Sequence, residues 1–246
     1  MSSTPASHAG NAASPKPDAP PSEALRELWA GGLEHEQNFW RKWFETKGWL
    51  WPHEYARRVD PLLEFQPHLR RFVHAAPGAA VRVLDVGAGP LTVLGKVWPG
   101  QVVELTPVDP LAPVYDAIMA EVGVTPLVRT IHAEAERLRE KFAAGTFDLV
   151  YALNCLDHSY DPVAAIRQMV AVCKPGCWVV MEHHPDEAEH EHYQGLHQWN
   201  FRAEGDRMII WRPGTRVDVQ EALGNAARLE VTPMPGNVFV AMRVAG

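Results

Sequence analysis

The chain has 246 residues, 46% of them hydrophobic and 22% charged, enough for one α/β domain with an extension and short for two full domains. Its net charge of −7, with no local Lys/Arg cluster, excludes nonspecific nucleic-acid binding, which needs a basic face to release counterions. Three cysteines without C-x-x-C spacing point to reduced thiols and a cytoplasmic setting, and no apolar run approaches the roughly 18 residues of a membrane span.

Residues 1–22 are Ser, Ala, Pro and Gly with almost no large apolar side chain, which predicts a disordered tail. From Ser22, a plain N-cap, Leu25, Leu28, Trp29, Leu33, Phe39, Trp40, Trp43 and Phe44 recur at helical spacing. Gly31-Gly32 is expected to break or bend this helix, and Gly48 to end it. A second helix is bounded by Pro52 and by Asp60-Pro61, and a third is expected over Leu62–Ala75. So many tryptophans predict either packing onto a main domain or an aromatic lid over a substrate pocket, with Tyr55, Arg57 and Arg58 as polar contacts. Residues 23–78 therefore read as an N-terminal helical lid or substrate subdomain.

The stretch that organises the rest is Val81-Arg82-Val83-Leu84-Asp85-Val86-Gly87-Ala88-Gly89-Pro90-Leu91. A β-branched apolar run ending in Asp and Gly-x-Gly reads as a buried strand, a tight loop and then a helix, here Leu91–Val97. Thr92 stands where a dinucleotide fingerprint would have its third glycine, which counts against a nicotinamide-dependent oxidoreductase. At these residues the sequence resembles the class I S-adenosylmethionine (SAM)-dependent methyltransferases, whose first motif has the form (V/L)LD(V/I)GxGxG, although Leu91 replaces the last glycine. The resemblance implies SAM as cofactor, bound by Asp85, Gly87, Ala88 and Gly89.

Val102–Val108 reads as the second strand, followed by Asp109-Pro110. Asp109 lies 24 residues after Asp85, where Rossmann-type sites place an acid for ribose hydroxyls. A helix over Val114–Glu121 and a third strand over Thr125–Ile131 follow. By the resemblance, Glu134 and Ala135 supply the adenine contacts. Thr146–Leu153 is the fourth strand, and the resemblance places the loop Asn154-Cys155-Leu156-Asp157-His158 beside the transferred methyl. A helix over Pro162–Cys173 leads to the fifth strand, Cys177–Glu182.

Residues 183–212 read as an inserted loop and hairpin holding five of the chain's twelve histidines. His184, His183 and His158 are candidate general bases, with Asp157 to orient one of them. His190-x-His192 with His197, Asp186 or Glu189 has ligand-type residues, but the carboxylate set of a metal-dependent enzyme is not visible and no metal is expected. Such histidines also occur simply as polar loop residues. His197 and Trp199, with Tyr55 and Arg58, are candidate substrate contacts, and the Gln198/Asn200 pair suits a polar acceptor. A short helix over Val217–Leu223 and a closing hairpin, Leu229–Thr232 with Val238–Val244, complete the chain.

The expected fold is a Rossmann-like, doubly wound, seven-stranded, mostly parallel sheet with an antiparallel last strand, plus the N-terminal helical extension. The cofactor-binding domain spans 79–246. The expected activity is methylation of a hydroxyl on a small polar molecule, a sugar or secondary metabolite. N- or C-methylation and a catalytically silent SAM-binding module stay open. A small-molecule acceptor is the expected partner, without nucleic acid or membrane, and a homodimer is left open.

Overall fold

A computed structural model describes residues 23–246, so the expected N-terminal tail and the Ser22 cap lie outside the described residues. The chain runs α1 (Glu23–Glu45), α2 (Pro52–Val59), α3 (Pro67–Arg70), β1 (Ala80–Val86), β2 (Val102–Asp109), α4 (Ala112–Val122), β3 (Ile131–His132), β4 (Phe147–Leu153), α5 (Pro162–Val172) and β5 (Cys173–His183). It continues through α6 (Glu187–His190), β6 (Asn200–Glu204), β7 (Arg207–Arg212), β8 (Thr215–Asp218), α7 (Val219–Leu223), β9 (Ala227–Met234) and β10 (Asn237–Val244). Two 3₁₀ turns kinked at Arg137 occupy Ala135–Glu140, and a single one Leu156–His158.

Seven strands form one sheet in the order β3-β2-β1-β4-β5-β10-β9. The first five are mutually parallel, and β10 runs antiparallel to both β5 and β9. This is the Rossmann-like arrangement expected, with an antiparallel last strand. Strand order reverses between β1 and β4, so the loops after these two strands flank the crevice where such sheets bind ligands.

Alternation along β1 sends its side chains to two cores. Leu84 and Val86 join Val150, Met181, Val240, Ile166 and Met169 on the face covered by α5 and the smaller sheet β6-β7-β8. Val81 and Val83 face Leu149, Tyr151, Val180 and Phe239 on the other. Asp161 caps α5 by accepting the Ala164 N–H, and Asp218 caps α7 through the N–H groups of Gln220 and Glu221. Among the described residues, no helix is long and apolar enough to cross a membrane.

Five local expectations are corrected. The segment 62–75 holds only the single turn α3, because its backbone is committed elsewhere. Phe65 N–H donates to the Val97 carbonyl (2.9 Å) and Val97 N–H to the Leu63 carbonyl (3.2 Å). Phe65, Leu69 and Phe72 then cover the second face of the sheet, with Phe65 stacked on Trp98.

The same pairing removes the helix expected at Leu91–Val97. Gln66 donates to the Val93 carbonyl (2.6 Å) and accepts from Gly95 N–H (3.2 Å), and Thr92 Oγ1 accepts from Leu94 N–H (3.0 Å). These bonds hold the segment open, so no helix N-terminus faces the crevice there. The third strand shrinks to Ile131–His132, paired only with Val108 and Asp109. The inserted hairpin gains a third strand, β8, which moves the start of the following helix to Val219.

The fifth correction concerns Gly31-Gly32, which α1 passes without a break. Gly32 is there for closeness: a Cβ on it would sit 2.7 Å from the Gly195 backbone and 2.6 Å from Leu196 Cδ2. Gly31 faces open space. Denaturant unfolding should therefore split the pair. Gly31→Ala stabilises by about 0.5–1 kcal/mol through helix propensity, whereas Gly32→Ala costs about 1–3 kcal/mol by overpacking.

Candidate active site

The crevice at the carboxyl ends of β1, β2 and β4 is built on two glycines with positive φ, Gly87 (65°) and Gly89 (63°). Each is also required for space. A Cβ on Gly87 would lie 2.5 Å from Cys155 Sγ, and one on Gly89 would lie 2.9 Å from the Trp40 ring. Cys155 is a free thiol that donates to the Val86 carbonyl at 3.1 Å, tying the loop after β4 to the loop after β1.

Trp40 comes from α1, whose 23 residues extend across the sheet edge. At its start Arg26 lies over the Tyr160 ring and contacts Glu134, and Trp29 meets Tyr160 edge-on. Midway, Gly32 touches the 195–196 backbone. Towards its end Trp43 and Phe44 bury against Leu91, Leu111 and Tyr115. Tyr55 joins this aromatic cluster, 5.2 Å from the Trp43 ring centroid, and the half-buried Arg58 donates from its guanidinium to the Leu91 carbonyl (2.9 Å).

The expected cofactor carboxylates are buried at this edge. Asp85 accepts from Thr92 Oγ1 at 2.5 Å. Asp109 receives Gly89 N–H on one oxygen (3.1 Å) and Leu111 N–H on the other (2.8 Å). Burial pushes the Asp85 carboxyl up to about 7, against the pull of Thr92 and Arg58, and the Asp109 carboxyl up to about 6. Glu36 on α1 adds a further negative charge near Asp109 while accepting the Trp40 indole N–H at 2.7 Å. Glu134 accepts from the Tyr160 hydroxyl at 2.6 Å. Ala88 N–H donates to the Val108 carbonyl, and Pro110 completes the turn between β2 and α4. Asn154, at φ 42°, accepts the His184 N–H (2.9 Å) and so joins the loops after β4 and β5.

Buried carboxylates held short of full ionisation fit a ligand with cationic groups and hydroxyls, which would supply the missing positive charge and the donors. SAM, with its sulfonium, ammonium and ribose, has that donor set.

Of the histidine candidates, the structure brings together His158 and His197 around Asp157. Asp157 is 1% exposed, and its Oδ2 lies 2.7 Å from His197 Nδ1 and 3.4 Å from His158 Nε2. Burial would raise the Asp157 carboxyl, but the charge of His158 and the bond to His197 hold it below the usual value. Burial would lower His197, and the Asp157 hydrogen bond and charge outweigh it and raise it.

His183 stands apart. It is fully buried, stacked on Phe201 at 4.1 Å, and burial pushes its pKa down to about 4. His184 is exposed and contacts the Gly236 carbonyl. His190 and His192 are exposed, and Asp186 is taken up by Arg202 and Trp211. Gln198 and Asn200 hold their own loop, through the carbonyls of Tyr193 and Gly195 and through the Tyr193 hydroxyl. Trp199 is buried beneath the Arg212 guanidinium. Glu36 and Tyr160 escaped sequence reasoning because their partners His158, Asp109 and Glu134 are distant in the chain, while Thr92 reaches Asp85, seven residues back, only because the loop between them folds over. The Glu36–Trp40 spacing, one helical turn, was locally readable.

This fold and this acid-rich crevice at the switch point define a Rossmann-like enzyme that binds a nucleoside-containing cofactor. Residues 84–181 match the family model of the methyltransferase domain. The chain carries a class I SAM-dependent methyltransferase domain, and SAM is its cofactor. No curated protein sequence matches it. A chain from the complex of a Haloferax volcanii methyltransferase activator with its methyltransferase superposes with a TM-score of 0.51 at 12% identity, over 89% of this chain and 98% of that one. A SAM-dependent methyltransferase from Clostridium acetobutylicum gives 0.42 at 13%, over 67% and 84%. The CurJ carbon methyltransferase gives 0.46 at 12% over 70% of this chain, which spans 50% of that one. What is shared at these identities is the fold.

The raised carboxyls set a pH dependence. The folded protein keeps these protons to higher pH than the unfolded chain does. Their contribution to stability is thus complete below the ordinary Asp value of 3.8 and is lost as pH rises through about 6 to 7. Asp85→Asn, which cannot ionise, should gain stability relative to the parent as pH rises from about 4 to about 7, as read from denaturation midpoints across that range.

Proposed function

We propose that the protein transfers the methyl group of SAM to a hydroxyl of a small polar acceptor, a sugar or secondary metabolite. The observation that carries this reading is the Asp157–His197–His158 cluster on and against the loop after β4, next to the Gly87 turn. Asp109 would hold the ribose hydroxyls, Asp85 and the Gly87–Gly89 backbone the methionine end, and Glu134 with Ala135 the adenine edge. SAM supplies an electrophilic methyl on a sulfonium. The chain's own task is to orient the acceptor in line with the carbon–sulfur bond and to receive its proton.

With SAM bound, an acceptor oxygen would bond to the methyl carbon as the carbon–sulfur pair returned to sulfur, leaving S-adenosylhomocysteine. The acceptor's proton passes to His197 Nε2, whose ring Asp157 holds through Nδ1. Asn154, Pro110 and Ala88 shape the cofactor cleft, and Trp199 and His197 border the acceptor side. Residues 23–78 act as its cover.

Calorimetric titration with SAM and S-adenosylhomocysteine should give micromolar binding, weakened by about 1–3 kcal/mol in Asp109→Ala through loss of charged hydrogen bonds. His197→Gln should keep SAM affinity and lose about 10²- to 10⁴-fold in methyl transfer to hydroxylated acceptors. A folded protein that binds neither ligand would overturn the reading.

A further inference from the structure

The contacts inside the Asp157 cluster exceed what its protons can satisfy. His197 Nδ1 lies 2.7 Å from Asp157 Oδ2 and 3.1 Å from His158 Nε2. One ring nitrogen carries either one N–H or one lone pair. With its proton given to Asp157, Nδ1 has nothing left for His158. The second Asp157 oxygen, Oδ1, is buried without a hydrogen-bond partner.

The three facing atoms form a triangle with edges of 2.7, 3.1 and 3.4 Å. Nitrogen and oxygen ligands at about 2.0–2.2 Å from one ion, set between octahedral and tetrahedral angles, would lie about 2.8–3.6 Å apart. The 3.1 and 3.4 Å edges fit as they stand, and the 2.7 Å edge, a hydrogen-bond length, must open slightly as an ion replaces the shared proton. Among the described residues this is the one group whose ligand atoms converge in this way. The other ring nitrogen of His158 lies 3.9 Å from Glu36 Oε2, too far for a hydrogen bond but on the side where a carboxylate would orient a ligating imidazole.

We propose that Asp157, His158 and His197 bind one divalent transition ion of the zinc class, facing the crevice with coordination positions open. Two imidazoles and one carboxylate suit such an ion. The open positions fit an acceptor with two adjacent oxygen donors, such as a vicinal diol or an α-hydroxy acid. The choice of acceptor rests on the methyl-transfer reading; the ion site does not. With the ion bound, the coordinated hydroxyl is acidified by it and sheds its proton to solvent, and His197 serves as ligand in place of base.

The test uses the full chain, free of any affinity tag and stripped with chelator, titrated with Co²⁺ followed by absorption and with Zn²⁺ followed by calorimetry. One equivalent should bind with visible d–d bands. Binding should weaken at least tenfold in His158→Gln and in Asp157→Asn, and stay unchanged in the His190→Ala/His192→Ala double variant. His158→Gln keeps the test valid where Asp157→Asn fails to fold, since His158 is partly exposed. Absence of stoichiometric binding by folded protein would overturn the site, as would binding lost only in the double variant. SAM titration of the stripped protein reports separately on the methyltransferase reading.

Discussion

The Trp40 ring lies on Gly89 at a distance no other residue at 89 would permit. This contact places α1 across the carboxyl edge of the sheet, and most of the site follows from it. Glu36, one turn earlier, is brought to Asp109 and His158. Gly32 is brought against the 195–196 turn, which carries His197 to Asp157. Arg26 reaches the Tyr160–Glu134 pair at the far end of the crevice. The helix α1 is thereby packed along the carboxyl edge of the sheet and touches each of the loops that flank the crevice.

Two regions of opposite electrostatic character meet under that helix. Around the glycine turn, Asp85 and Asp109 are buried with backbone and hydroxyl donors, and desolvation keeps them partly protonated. Around the loop after β4, Asp157 is equally buried but has two imidazoles, and its charge is stabilised. The first region suits a cation bound as a ligand; the second has nitrogen and oxygen donors of its own. Cys155 joins them, with its thiol against Gly87 and Asp157 two residues along the chain.

The parallel strands, the Asp–Gly-x-Gly turn and Asp109 were legible because each depends on neighbours in sequence: β-branched runs, glycines at a sharp turn, an acid at a strand end. The segments 62–75 and 91–97 were not, because each satisfies its backbone through the other, by Phe65, Val97 and the Gln66 side chain. Helical spacing of apolar residues there reflected burial on the sheet face and not a helix. Gly31-Gly32 misled for a related reason. The pair reads as a breaker locally, whereas one member serves an approach to Gly195, far along the chain.

The histidines show the same division. Position after the fifth strand put a histidine-rich segment at the carboxyl edge of the sheet, but the sequence could not rank five similar rings. Tertiary structure buried His183 against Phe201, left His190 and His192 in solvent, and carried His197 back across the crevice to Asp157 and His158. The sequence by itself determined the strand order's raw material, the cofactor class and the acids at the strand ends, since these follow from local propensity and spacing. Which side chains share a proton, which carboxyls stay protonated and what covers the crevice were decided only by the fold. Desolvation and contact depend on atoms brought together from tens to more than a hundred residues apart.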